Sequence, residues 1–89
     1  MESKTTRRFR ELLAELPDGI RQRAHESYSL FRENLSHPGL RFKKAHSTKP
    51  IFSARITLDY RAVGVIHGDT IVWFWIGKHS DYERLIERL

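Results

Sequence analysis

The sequence predicts an α+β fold: a small antiparallel sheet of about four strands with an N-terminal helical hairpin on one face and a short C-terminal helix. Three observations carry this expectation. Apolar residues recur at helical spacing through residues 6–35, in two runs divided by Pro17-Asp18-Gly19. Residues 52–78 read as three consecutive strands, rich in β-branched and aromatic side chains and interrupted only at Thr57-Leu58-Asp59 and His67-Gly68-Asp69-Thr70. The chain has 89 residues, enough for one domain (1–89) with a modest core.

Taken in order, Thr6 is placed to cap a first helix whose stripe is Phe9, Leu12, Leu13 and Leu16, and Pro17 stops it. The residues before Thr6 fit either an unstructured lead or a short edge strand. Asp18 is the expected cap of a second helix, with Ile20, Ala24, Tyr28, Phe31 and Leu35 on one stripe. Ser36-His37-Pro38-Gly39 ends it in turn residues. Leu40 to Lys44 alternates apolar and basic and reads as a short strand or extended arm. A loop from Ala45 to Pro50 follows, with His46 and Lys49. The strand Phe52–Thr57 carries Arg55 at its middle. A three-residue turn after it sets Arg55 opposite Arg61; a two-residue turn sets it opposite Ala62.

Gly68-Asp69 suits a two-residue turn between the last two strands. In that register Ile66 faces Ile71, Gly64 faces Trp73, Ala62 faces Trp75 and Arg61 faces Ile76. Trp73 and Trp75 then share one face with Ala62, Gly64, Ile66 and Ile71, while Val63, Val65, Val72, Phe74 and Ile76 form the other. Both faces are apolar, so both expect cover. After Gly77, Ser80 and Glu83 read as the capping box of a final helix with Tyr82, Leu85, Ile86 and Leu89 on its stripe.

The chain has no cysteine, which excludes disulfides and thiolate chemistry and fits a reducing, cytoplasmic setting. Its first residues are polar and make no signal peptide, and its longest apolar run, Ile71 to Gly77, is too short to span a bilayer. The net charge of +5 is unevenly spread. Residues 41–80 hold seven Lys/Arg against two Asp/Glu, a net +5 on the strands and the loop before them. A sheet this cationic points to a polyanion, nucleic acid or an acidic protein. The cationic groups gather where the hairpin opens, at Tyr60, Arg61, Lys78 and His79.

Two helices, then HPGLRFKKAH, then FSARITLDYRAVGVI, a Gly-Asp turn, and VWFWIGKHSDYERLI together resemble the RelE/ParE family of bacterial toxins. The resemblance covers nearly the whole chain in order. Its most specific parts are Asp59-Tyr60-Arg61 opening one strand and Gly77-Lys78-His79 with Tyr82 closing the next. It implies a small α+β toxin neutralised by a cognate acidic antitoxin. RelE-like members cut mRNA at the ribosomal A site without a metal; ParE-like members act on DNA gyrase. A nontoxic RNA-binding module on the same fold is a third possibility. In RelE-like enzymes the strand-opening arginine is catalytic, and Arg61 matches it; Arg55 stands where those enzymes carry a catalytic lysine. The best-known members have an arginine where this chain has His79, while some relatives use a C-terminal His-Tyr arrangement.

The chemistry agrees with that assignment. Metal-free RNA cleavage removes a proton from the ribose 2′-hydroxyl, stabilises a phosphorane and protonates the departing 5′-oxygen. A neutral imidazole suits proton transfer and a guanidinium fork suits the phosphorane. The expected catalytic set is therefore Arg61, His79, Arg55 and Tyr82, with Lys43, Lys44, Lys78 and Arg41 holding the RNA. Tyr82 also lies on an apolar stripe, so a core role competes with a catalytic one. Trp73 and Trp75, mid-strand beside small residues, read as core or interface. His25, His37, His46 and His67 read as surface or loop residues without metal-ligand spacing, and no Gly-rich phosphate loop is present, so neither metal nor cofactor is expected.

Overall fold

A computed structural model describes residues 1–89. The elements run β1 (Glu2–Thr5), α1 (Arg7–Ala14), α2 (Asp18–Glu33), a 3₁₀ turn (Pro38–Leu40), β2 (Lys43–Lys44), β3 (Ile51–Thr57), β4 (Tyr60–His67), β5 (Thr70–Lys78) and α3 (His79–Arg88). The expected α+β class and helix placement hold. The sheet has five strands in the order β1-β5-β4-β3-β2, and it is mixed because β1 pairs parallel with β5. The edge-strand option for the residues before Thr6 is thus the one adopted. No helix is long and apolar enough to cross a membrane.

The helix starts show which local signals win. Thr6 caps α1 as expected, its Oγ1 accepting from the Phe9 backbone N–H at 3.0 Å. At α2 the cap position is Pro17, not Asp18, and no side chain caps the helix. Asp18 lies in the first turn, where its carboxylate favours the helix dipole and pairs with Arg21. On the α2 stripe Ala24 and Phe31 are buried and Tyr28 is exposed, while Leu35, past the end of the helix, still packs against the core. The Ser80–Glu83 capping box does not form, because β5 runs straight into α3 at His79. The His79 N–H donates to the Asp59 carbonyl at 2.7 Å, so the β3–β4 turn satisfies one of the orphan donors at the start of α3.

The β4–β5 register departs from expectation halfway along. From the turn, Ile66 pairs with Ile71 and Gly64 with Trp73, as the two-residue turn requires. A bulge then intervenes, so Val63 pairs with Trp75, Ala62 with Ile76 and Arg61 with Gly77. The expected Ala62–Trp75 and Arg61–Ile76 pairs are therefore not formed. Phe74 is the extra residue, and one residue of slip exchanges faces beyond it. Trp73 and Trp75 end on opposite faces and Ile76 joins Trp73. A second irregularity at Ile56 lets Thr57 pair with Tyr60 while Arg55 still faces Arg61.

On one face, Trp73, Ile71, Ile76, Ala62 and Ala54 form the core with Ala24, Phe31 and Leu40, and Phe9, Leu12, Leu13 and Leu16 pack against it. Trp73 is 4% exposed and meets Phe31 edge-on, ring centres 5.4 Å apart. Its indole N–H donates to Ser3 Oγ at 3.1 Å, which ties β1 to the core. Phe42 stacks on Phe52 at 5.2 Å and closes this face at the β2 edge. On the other face, Ser53 and Val63 are fully buried beside Trp75, and α3 lies over them through Tyr82. The helical hairpin thus covers Trp73, and only Trp75 is left to the side of α3.

Gly64 is required by a close approach. A Cβ there would sit 2.9 Å from Ile71 Cγ1 and 3.0 Å from Trp73 Cε3, both buried side chains with no room to yield. Gly64→Ala is expected to lower stability by about 1–3 kcal/mol, read as a reduced urea midpoint at constant slope. An unchanged midpoint would mean that Trp73 repacks freely.

Candidate functional site

The bulged register sets two cross-strand rows on the face beneath α3. Lys43, Ser53, Val63 and Trp75 form one row; Arg55, Arg61 and Gly77 form the next, toward the open end of the hairpin. Opposed residues share a face, so Arg55 and Arg61 lie side by side with Cα atoms about 4.5–5.5 Å apart. Two guanidinium groups so placed repel each other, and no carboxylate pairs with either.

Gly77 makes space for what lies beside Arg61. A Cβ at Gly77 would fall 2.7 Å from Trp75 Cζ2, so the indole ring extends along β5 across the glycine, opposite Arg61. Arg61 is half-buried, and its Nη1 is buried without a hydrogen-bond partner in the protein. A buried donor of this kind costs free energy unless something accepts from it.

The first turn of α3 supplies the remaining groups. His79 begins the helix, held by its N–H on the Asp59 carbonyl. Its imidazole is 41% exposed, with Nδ1 3.6 Å from Glu83 Oε1. Its ring centre lies 5.6 Å from that of Tyr82, whose hydroxyl reaches Ser53 Oγ at 3.4 Å. The structure therefore gathers Arg55, Arg61, His79 and Tyr82 at one end of one face: two cations, an accessible imidazole and a phenol.

The four RNA-holding candidates are dispersed. Lys43 shares the α3 face through its pairing with Ser53. Lys44 pairs with Phe52 and Lys78 with Tyr60, so both belong to the opposite face. Arg41 is exposed at the end of the 3₁₀ turn, with a left-handed backbone at φ 45°. Sequence reasoning passed over Ser53, Trp75 and Glu83 as members of this neighbourhood. A lone serine within an apolar strand was the available signal for Ser53. Trp75 was hidden by the bulge, and Glu83 was absorbed into the expected capping box. No group of three or more His, Cys, Asp or Glu side chains is positioned to hold a metal.

The model of the ParE-like toxin domain family matches residues 18–84. No curated protein matches the sequence. Among solved structures, the chain is similar to one from the RelB–RelE antitoxin–toxin complex of Methanococcus jannaschii, with 19% identity, 92% of this chain and 96% of that chain covered, and a TM-score of 0.76. It is similar also to the YoeB/ParE toxin of Agrobacterium tumefaciens, with 13% identity, 89% and 99% coverage and a TM-score of 0.70. A chain from the DinJ–YafQ complex of Escherichia coli gives 11% identity, 90% and 94% coverage and a TM-score of 0.70. At these identities the three establish a common fold.

The orphan donor on Arg61 generates a stability prediction. Arg61→Met keeps the apolar stem and removes the unpartnered group. Its unfolding free energy is expected to equal or exceed that of the parent, by about 1 kcal/mol, in urea titrations. A clear loss would identify Arg61 as a structural arginine.

Proposed function

Because the chain belongs to the ParE-like toxin domain family, we propose that it is the toxin of a toxin–antitoxin pair and that it stops translation by cutting mRNA on the ribosome without a metal ion. The observation that carries this reading is the buried, unpartnered Nη1 of Arg61, set beside Arg55 and at the same end as His79 and Tyr82. A phosphodiester supplies the acceptor oxygens that this donor lacks, and a fork can bind two of them.

In the proposed reaction His79 removes the proton from a ribose 2′-hydroxyl, and the 2′-oxygen attacks the adjacent phosphorus. Charge grows on the non-bridging oxygens, where Arg61 and Arg55 stabilise it. The P–O bond to the 5′-carbon breaks, and that oxygen takes a proton from the imidazolium or from water. A 2′,3′-cyclic phosphate and a 5′-hydroxyl remain. Tyr82, anchored on Ser53, is placed to orient the 2′-hydroxyl. Lys43, on the same face, supports the RNA strand; Lys44, Lys78 and Arg41 contribute charge around the rim.

The partner fits the same electrostatics. The M. jannaschii and E. coli relatives were solved in complexes with RelB and DinJ. A cognate acidic antitoxin, in the same cytoplasmic setting, suits a chain of net charge +5. A second reading, a ParE-like inhibitor of DNA gyrase without catalysis, draws on the description of the matched family.

Expression of the chain with separate readouts of translation and DNA breakage separates the two. Translation arrest with cleaved message and intact DNA is expected. Arg61→Ala and His79→Ala should each relieve growth arrest while staying folded, with His79→Ala slowing cleavage about 10²–10⁴-fold. Double-strand breaks without message cleavage, or full potency in a folded Arg61→Ala protein, would overturn the ribonuclease reading.

A further inference from the structure

A second group of arginines shares only Arg55 with the catalytic set just described. Arg23 from α2, Arg41 from the end of the 3₁₀ turn and Arg55 from β3 line one open cleft of about 650 Å³, together with Asp59. The three come from separate elements, and only the fold brings them together. Arg23 Nε lies 3.8 Å from Glu26 Oε2 in an exposed pair, and Arg41 and Arg55 form no ion pair. The one carboxylate in the lining, Asp59, leaves the cleft cationic.

The cleft lies where the sheet edge opens. β2 pairs with β3 only at Ser53 and Phe52, so the edge of β3 beyond Ser53 has no flanking strand. Continued by the same register, Arg41 would face Arg55, which itself faces Arg61. Arg41 instead turns away in the left-handed region, at φ 45° and ψ 43°. That conformation is unfavourable for a residue with a Cβ, and it is held by the Arg41 N–H donating to the Pro38 carbonyl at 3.2 Å. The cleft joins the candidate active site at two points. Arg55 belongs to both, and Asp59, on the cleft wall, holds the N–H of His79 through its carbonyl.

We propose that this cleft is a second phosphate subsite, which holds a neighbouring phosphodiester of the RNA strand whose scissile phosphate sits at Arg61. The inference rests on the ribonuclease reading. Three guanidinium groups around one concavity repel each other when it is empty, and an RNA phosphate relieves that repulsion while accepting forked hydrogen bonds. The contact is to backbone and not to base edges, so it contributes affinity and register without sequence preference. Arg55 links the two sites and fixes how the strand runs: from His79 and Arg61, across β3, toward the 3₁₀ turn.

The test compares the parent with the double variant Arg23→Ala/Arg41→Gly. Glycine accepts the left-handed backbone at position 41, and Arg23 is exposed, so the variant is expected to melt no lower than the parent. Binding of a 2′-O-methyl hexanucleotide, which cannot be cleaved, is measured by fluorescence anisotropy across a salt series. The variant should bind more weakly at low salt, with a log–log salt slope shallower by about 0.7, the value for one lost phosphate contact on a single strand. A 2′-O-methyl dinucleotide, with its single phosphodiester, should bind both proteins alike. A hexanucleotide slope unchanged in the variant, yet reduced by Arg61→Ala, would overturn the subsite and leave the ribonuclease reading standing. Failure of the parent to bind either oligonucleotide at low salt would overturn the subsite, while the ribonuclease reading is decided by message cleavage on the ribosome.

Discussion

The extra residue at Phe74 is the constraint on which the rest of this structure depends. β5 must serve two apolar faces with two tryptophans only two positions apart. In an unbroken strand both indoles would project to the same side. The turn-set register keeps Trp73 under the helical hairpin, edge-on to Phe31 and bonded to Ser3, and the bulge beyond it sends Trp75 to the face of α3. It also moves Gly77 opposite Arg61. Cover for the second face and the candidate site are thus consequences of one inserted residue. Bulges are common where a strand must re-aim side chains toward a site, and this one re-aims three.

The same arrangement explains which features could be read before the structure was known. The Gly68-Asp69 turn and the Gly64–Trp73 pair were legible because turn type and hydrophobic alternation specify register locally. The bulge was not, since nothing in Trp73-Phe74-Trp75 distinguishes a regular strand from a bulged one. α1 was legible because Thr6 has no competitor as a cap. The start of α3 was misplaced by one to two residues because the helix begins directly at the end of β5, where the distant Asp59 carbonyl holds the His79 N–H and no local side chain acts as cap. For the site, the residue types and their end of the hairpin could be read from the chain. Which lysines share a face with Arg61 could not, because that depends on the two-residue contact between β2 and β3 for Lys43 and Lys44 and on the bulge for Lys78.

Stability and chemistry pull in different directions at this end of the sheet. Elsewhere the molecule satisfies its buried polar groups: the Trp73 indole finds Ser3 and the Tyr82 hydroxyl finds Ser53. Arg61 alone keeps a buried side-chain donor unpartnered. Alongside it run two more arginines without ion pairs, one of them on a left-handed backbone. Local rules are broken together, and in one place. Such concentration is typical of functional positions, where a protein gives up stability for binding or chemistry.

The parallel pairing of β1 with β5 has a consequence for how the chain is made. Glu2 and Thr70 lie side by side though 68 residues separate them. Such a contact forms late, since its loop closes only after the intervening chain exists. α1 and α2 can take shape early from local signals, but β1 has no neighbour until β5 is synthesised. Arg55 and Arg61 likewise emerge well before His79 and Tyr82. A growing chain therefore carries the cations of the site without its imidazole and phenol. On the proposed reading, the ribosome building this protein is safe from it throughout most of translation, a temporal safeguard that follows from strand order alone.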